Sequence, residues 1–180
     1  MTFPDFSEVE SIHRSGSRQM TEKNLGYKFC DKFVQDFENV VKNPIVSKSS
    51  VYYTGVDLGT ACVVVAVLDE NYKPVAGAYK YADVVRDGMV VDYIGAIDIV
   101  RKMKQDIEEK LGAELIYGAA AIPPGTDALD SGAVKNVVQA AGFELTSVLD
   151  EPTAANKVLK IKNGAVVDIG GGTTGISILK

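Results

Sequence analysis

Histidine is almost absent: His13 is the only one in 180 residues, and it sits in a polar stretch near the start. A catalytic triad built on histidine and a His-rich metal site are both excluded. Cysteine is nearly as scarce. Cys30 and Cys62 lack the spacing of a metal site and read as core residues. No apolar run approaches the ~18 residues of a membrane helix, the longest being Ala61 to Leu68. No basic segment followed by an apolar core opens the chain, so a secretory signal is not expected. Clusters of basic residues are missing too, and a net charge of −5 argues against nucleic acid or anionic lipid as partner. Low-complexity tracts are missing as well. What remains is a chain with 46% hydrophobic residues, enough to bury one core domain or little more.

The most informative stretch is residues 164–178, GAVVDIGGGTTGISI: an apolar strand, an Asp, three glycines, two threonines and a second apolar run. Consecutive glycines let a backbone bend tightly, approach a ligand closely and aim N–H groups at an anion. Thr173 and Thr174 add hydroxyl donors. Asp168 would repel a bare phosphate, so its presence points to an intervening hydrated Mg²⁺, an ion that binds one or two carboxylates, waters and phosphate oxygens. An ordinary Gly-rich hairpin turn is the bland alternative.

A similar unit lies upstream in residues 51–68, VYYTGVDLGTACVVVAVL, where Asp57-Leu58-Gly59-Thr60 parallels Asp168-Ile169-Gly170-Gly171. Neither unit has the Gly-Lys-Ser/Thr of a P-loop or the GxGxxG of a dinucleotide fold. Two such turns would instead face one another across a cleft. Between them runs Asp150-Glu151-Pro152-Thr153-Ala154-Ala155. Pro152 suits a first helical turn, and Glu151 would lie at the positive end of that helix. Read alone, this is a charged helix start. Beside two phosphate turns, Glu151 is a candidate to orient or activate water, since phosphoryl transfer needs mainly positioning and charge neutralisation.

In this order the three segments resemble the actin-like ATPase superfamily of DnaK-type chaperones, MreB filaments and sugar kinases. Residues 81–96 (YADVVRDGMVVDYIGA), 123–127 (PPGTD) and 148–155 (VLDEPTAA) are similar to its chaperone-like ethanolamine-utilization branch. The resemblance covers roughly residues 51–180. It implies ATP and Mg²⁺ as cofactors, with Asp57 and Asp168 holding the metal through water. Gly59, Thr60, Gly170, Gly171, Gly172 and Thr173 would contact phosphates. Glu151, with Asp57 and Asp168, would carry catalysis. It further implies a cytoplasmic, ATP-binding chaperone-like protein acting on ethanolamine-catabolic enzymes or proteins of a bacterial microcompartment. The alternative is a non-catalytic assembly factor that retains the ATPase fold as scaffold; a small-molecule kinase is a third reading, for which no substrate motif is found. Three departures bear on hydrolysis more than on binding. DnaK-type chaperones have an acid where this chain has Gly175, and Thr or aromatic residues at Ala61 and Cys62. Their phosphate-facing lysine has no clear counterpart, Arg86 being the nearest basic residue.

The expected fold is α/β: one lobe of the actin-like (ribonuclease H-like) fold, a mixed sheet with helices on its faces. Residues 1–26 read as a flexible tail, with a short targeting helix carried by Phe3, Phe6, Val9 and Ile12 as the alternative. Residues 27–46 give an amphipathic helix and linker, with Phe29, Cys30, Phe33, Val34, Phe37, Val40 and Val41 on one face. Residues 51–162 form the lobe: strands near 51–58, 61–69, 74–82, 115–122 and 145–149, and helices over 95–111, 127–141 and 152–159. Residues 163–180 would be the first hairpin of a second, incomplete lobe, so this chain is expected to bind ATP weakly and to be inactive alone. A free hairpin is marginal in water. Its apolar strand is expected to pair with another chain, fold back on the lobe or remain poorly ordered.

Overall fold

The computed structural model describes residues 22–46 and 48–180. The tail and targeting readings of residues 1–21 lie outside the described residues. An N-terminal helix, α1 (Glu22–Lys42), precedes a meander of β1 (Tyr53–Leu58), β2 (Cys62–Leu68) and β3 (Pro74–Tyr81). A short hairpin, β4 (Val85–Arg86) and β5 (Met89–Val90), leads into α2 (Tyr93–Leu111). Then come β6 (Tyr117–Ile122), α3 (Ala128–Ala140), β7 (Glu144–Asp150) and α4 (Glu151–Leu159). The last pair is β8 (Gly164–Ile169) and β9 (Thr174–Leu179).

The main sheet runs β3-β2-β1-β6-β7. The first three strands pair antiparallel; β6 and β7 add in parallel to β1, each after a helical crossover. Val63, Val65 and Val67 alternate into the core with Ile97, Val100, Met103 and Ile107 of α2 and Val134, Val137 and Val138 of α3. The opposite row is small: Gly55, Ala66 and Gly77 stand in register across β1, β2 and β3. Its β3 end, Gly77, seats α1, while Gly55 at the other end faces open space. A β-carbon on Gly77 would lie 2.5 Å from the Phe37 ring, so the aromatic occupies the space a side chain would need. Val40 and Cys30 of α1 are buried, the Cys30 thiol donating to the Val158 carbonyl of α4 at 3.4 Å. α1 starts before residue 27 and rests on both β3 and α4.

Local chemistry sets the element ends. Asp92 caps α2 by accepting the Gly95 N–H at 2.9 Å, so this helix begins two residues ahead of Gly95. Gly112 closes it with φ 66°, a left-handed cap. Asp127 caps α3, accepting the Leu129 and Asp130 N–H groups, and Gly142 follows it at φ 100°. Among the described residues no helix is long and apolar enough to cross a membrane.

A buried ion pair ties α2 to the start of β6. The Lys104 ammonium donates to Glu108 Oε1 at 2.5 Å and lies 5.4 Å from the Phe143 ring centroid, while the same oxygen accepts the Leu115 N–H at 2.7 Å. Removing the acid would leave a buried cation and an unsatisfied amide. Glu108→Ala is therefore expected to cost about 3 kcal/mol, a fall in melting temperature of roughly 6–12 °C by scanning calorimetry. Lys104→Met, which keeps the apolar stem and removes the charge, is expected to cost less than half as much.

Candidate functional site

The two glycine turns are closed by the same bond. Gly59 N–H donates to the Cys62 carbonyl at 3.1 Å, and Gly170 N–H donates to the Thr173 carbonyl at 2.9 Å. At Gly59 any β-carbon would come within 2.9 Å of the Cys62 oxygen, so the first turn admits glycine alone. The turns also meet. A β-carbon on Gly172 would lie 2.8 Å from Thr60 Oγ1, and one on Gly171 would lie 3.1 Å from the Ala61 methyl.

The second hairpin is held there by its inward face. Gly175 packs so closely that a β-carbon would stand 2.8 Å from Pro124 and 2.9 Å from Pro152. One proline belongs to the loop after β6, the other to the first turn of α4. The acid that DnaK-type chaperones carry at this position has no room here.

Between the turns lies a cavity of about 330 Å³, within the size range of small-ligand sites. Asp57 stands in register between Val64 of β2 and Ala121 of β6, and this row forms part of the cavity wall. Asp168 enters from β8. Glu151 enters from the first position of α4, beside Asp150, whose carboxylate caps the helix by accepting the Thr153 N–H at 2.9 Å. Of the residues expected in the site, Asp57, Gly59, Thr60, Glu151, Asp168, Gly170, Gly171 and Thr173 all line this cavity. Gly172 is turned against Thr60 and Asp87 instead.

One wall went unread in the sequence. The β4–β5 hairpin contributes Val85 and Gly88, with Pro123 beside them. Its turn residues Asp87 and Gly88 both have positive φ, 51° and 81°. Asp-Gly between apolar residues is a strong hairpin signal, and it was available at residues 84–91. A β-carbon on Gly88 would meet Pro123 at 3.1 Å and the Thr173 methyl at 3.4 Å, so this turn braces the second glycine turn from outside.

The electrostatics are one-sided. Among the described residues no Lys or Arg lines the cavity, while three carboxyl groups do. Burial, then the neighbouring Asp168, push Asp57 up to about 6, and its buried Oδ1 has no hydrogen-bond partner. Glu151 is raised to about 7 by burial, by Asp57 and by a hydrogen bond shared with Asp168. Such a pocket repels a bare anion and attracts a cation. Among the described residues no group of three or more acidic, His or Cys side chains is arranged to cage an ion directly. The donor set fits an ion of the Mg²⁺ kind, held by one or two carboxylates with water completing its shell.

The family model described as Hsp70 protein matches residues 86–180, just over half of the chain. The chain belongs to the Hsp70 family. This Hsp70-family chain is 50% identical over 128 residues to the ethanolamine utilization protein EutJ of Salmonella typhimurium, covering 71% of this chain and 45% of that protein. The crystal structure of EutJ from Carboxydothermus hydrogenoformans superposes with a TM-score of 0.78 at 48% identity, covering 86% of this chain and 57% of that one. The resemblance read in residues 81–96, 123–127 and 148–155 is thereby borne out. MreB5 of Spiroplasma citri, in a structure bound to ADP, shares the actin-like fold at TM-score 0.56 and 22% identity, over 73% of this chain and 49% of that one. The chain spans about half the length of the curated relatives it matches.

Two outcomes follow from this Hsp70-family site. Because Asp57 and Glu151 have folded-state values above those of free carboxyl groups, their contribution to stability is fully present at acid pH. It is lost as pH rises through about 6 and 7. Thermal melts of the ligand-free protein should therefore weaken between pH 5 and pH 8, and Asp57→Asn with Glu151→Gln should flatten that slope. Gly175→Asp should displace β8–β9 from Pro124 and Pro152. We expect a loss of about 1–3 kcal/mol and faster amide exchange confined to that hairpin and α4.

Proposed function

We propose that the chain binds a nucleoside phosphate, ATP or ADP, together with Mg²⁺, between its two glycine turns. It would do so as part of a chaperone-like protein of ethanolamine utilization. The observation that carries this reading is the pairing itself: two turns of the same build meet around a cavity whose buried Asp57 oxygen lacks a partner. Asp57 and Asp168 would hold the ion through water. Gly59, Thr60, Gly170, Gly171 and Thr173 would offer backbone and hydroxyl donors to the phosphates. Gly172 would act indirectly, by letting the second turn close on Thr60. When bound, Mg²⁺ supplies the positive charge that the pocket lacks and that phosphoryl transfer requires. Glu151, at the rim of the same cavity, would orient the attacking water. The ethanolamine assignment rests on the names of the relatives at about 50% identity, with catabolic enzymes or microcompartment proteins as the clients of the whole protein.

A second reading is favoured by one feature: among the described residues no Lys or Arg lines the cavity. A phosphate site without a fixed cation suits a scaffold or assembly factor that binds nucleotide without turning it over.

Calorimetry and thermal melts separate these readings. With Mg·ADP at a hundredfold excess over its dissociation constant, the melting temperature should rise by roughly 5–10 °C. EDTA should abolish the shift, and Asp57→Asn or Asp168→Asn should weaken binding at least tenfold. Glu151→Gln should leave binding nearly intact while removing ATP hydrolysis, measured as phosphate release by a form carrying the relatives' second half. Equal low release by both would select the scaffold reading.

A further inference from the structure

Two cavities flank the tip of the β4–β5 hairpin. One lies between the glycine turns; the other, also about 330 Å³, opens on the side of Asp127 and Asp130. They have three wall residues in common: Gly88, Pro123 and Thr173. These three converge on one point. A β-carbon on Gly88 would lie 3.1 Å from Pro123 Cγ and 3.4 Å from Thr173 Cγ2. Thr173 thus turns its methyl to the bare side of Gly88. Its hydroxyl faces Gly170 instead, Oγ1 standing 3.7 Å from where a β-carbon on that glycine would be. Threonine occupies few χ1 rotamers, so whatever fixes its methyl also aims its hydroxyl.

We propose, on the nucleotide reading above, that Gly88 is a positioning residue: it holds the Thr173 side chain in the rotamer that offers its hydroxyl to phosphate. The hairpin is anchored for this task. Val84 and Val85 at its base are buried, and Val91 and Asp92 both donate their N–H to the Val84 carbonyl, at 2.9 and 3.2 Å. Val85 pairs with Val90, and Arg86 with Met89. At the tip, φ of 81° costs glycine nothing, and its missing side chain leaves the gap that the methyl faces. Asp87 adds a second contact with the same glycine turn, Oδ1 standing 3.3 Å from where a β-carbon on Gly172 would be. A hydroxyl already held in place binds its ligand without the entropy of freezing a free rotor. Gly88 touches no phosphate and acts only through Thr173.

Two measurements on the full chain test this together: Thr173 χ1 in the ligand-free protein, from three-bond NMR couplings to its methyl carbon, and Mg·ADP affinity by calorimetry. The wild type should show one rotamer. Gly88→Asn tolerates positive φ and so keeps the turn, but its side chain takes the methyl's space. It should average the Thr173 rotamers and weaken Mg·ADP about threefold, the population lost when three staggered wells are shared. Thr173→Ser keeps the hydroxyl, drops the methyl and should lose about as much. Adding Gly88→Asn to Thr173→Ser should then cost almost nothing, because no methyl is left to hold. A merely structural role would instead multiply the two losses to about ninefold. That product, a wild-type Thr173 already averaged among rotamers, or Gly88→Asn with wild-type affinity would each overturn the positioning role and leave the nucleotide reading standing. Wild-type chain that binds no Mg·ADP would overturn both.

Discussion

Three carboxyl groups share one small cavity that no basic side chain lines among the described residues. Taking an ionised carboxyl out of water is costly, and taking out several beside one another compounds the cost through mutual repulsion. The fold answers in two ways. Asp57 and Glu151 hold their protons far above the ordinary carboxylate range, and Glu151 shares a hydrogen bond with Asp168. Around them the glycine turns bring backbone donors close without side chains in between. The sheet, the hairpin and the helix start each deliver one acid, so the arrangement depends on how these elements are docked rather than on any one of them.

That docking is governed by contacts that reject even a methyl group. Gly175 lies on two prolines, Gly77 lies under Phe37, and Gly172 lies on Thr60. None of these glycines has φ in the left-handed region, so their requirement is spatial rather than conformational. Proline is a suitable opposing surface. Its ring is rigid, and Pro152 at the start of α4 forgoes an N–H that the helix would have left unpaired. The same residue that begins the helix therefore also positions the second glycine turn.

Much of this was legible in the residues, for identifiable reasons. The strand–Asp–Gly–strand units at 51–68 and 164–178 announce themselves because each part has a local physical purpose, and their repetition counts against accident. α2 was legible from apolar spacing and α3 from the Gly142 that closes it; α2 begins two residues earlier than expected, after its Asp92 cap, and α3 is one residue shorter at each end. The β4–β5 hairpin was not read, although Asp87-Gly88 encodes it, because strands of two residues carry no alternation. The steric role of Gly175 could not be read at all. It depends on Pro124 and Pro152, which lie 51 and 23 positions away along the chain and meet only in the fold. An unusual residue at that place in the sequence looks like a lost function; in the structure it is a fitted joint.

α1 bears on the sheet as much as on its own burial. β3 is an outermost strand, and this helix lies along it, with Ile45 just beyond donating its N–H to the Val75 carbonyl at 2.8 Å. The helix thus covers the sheet's face at Gly77, and the segment after it occupies one point of the open margin, at Val75. A version pruned to begin at Val51 would keep every group that lines the cavity while baring the sheet face under Phe37 and the Val75 carbonyl, and its practical fault would be stickiness in storage rather than any defect of the pocket.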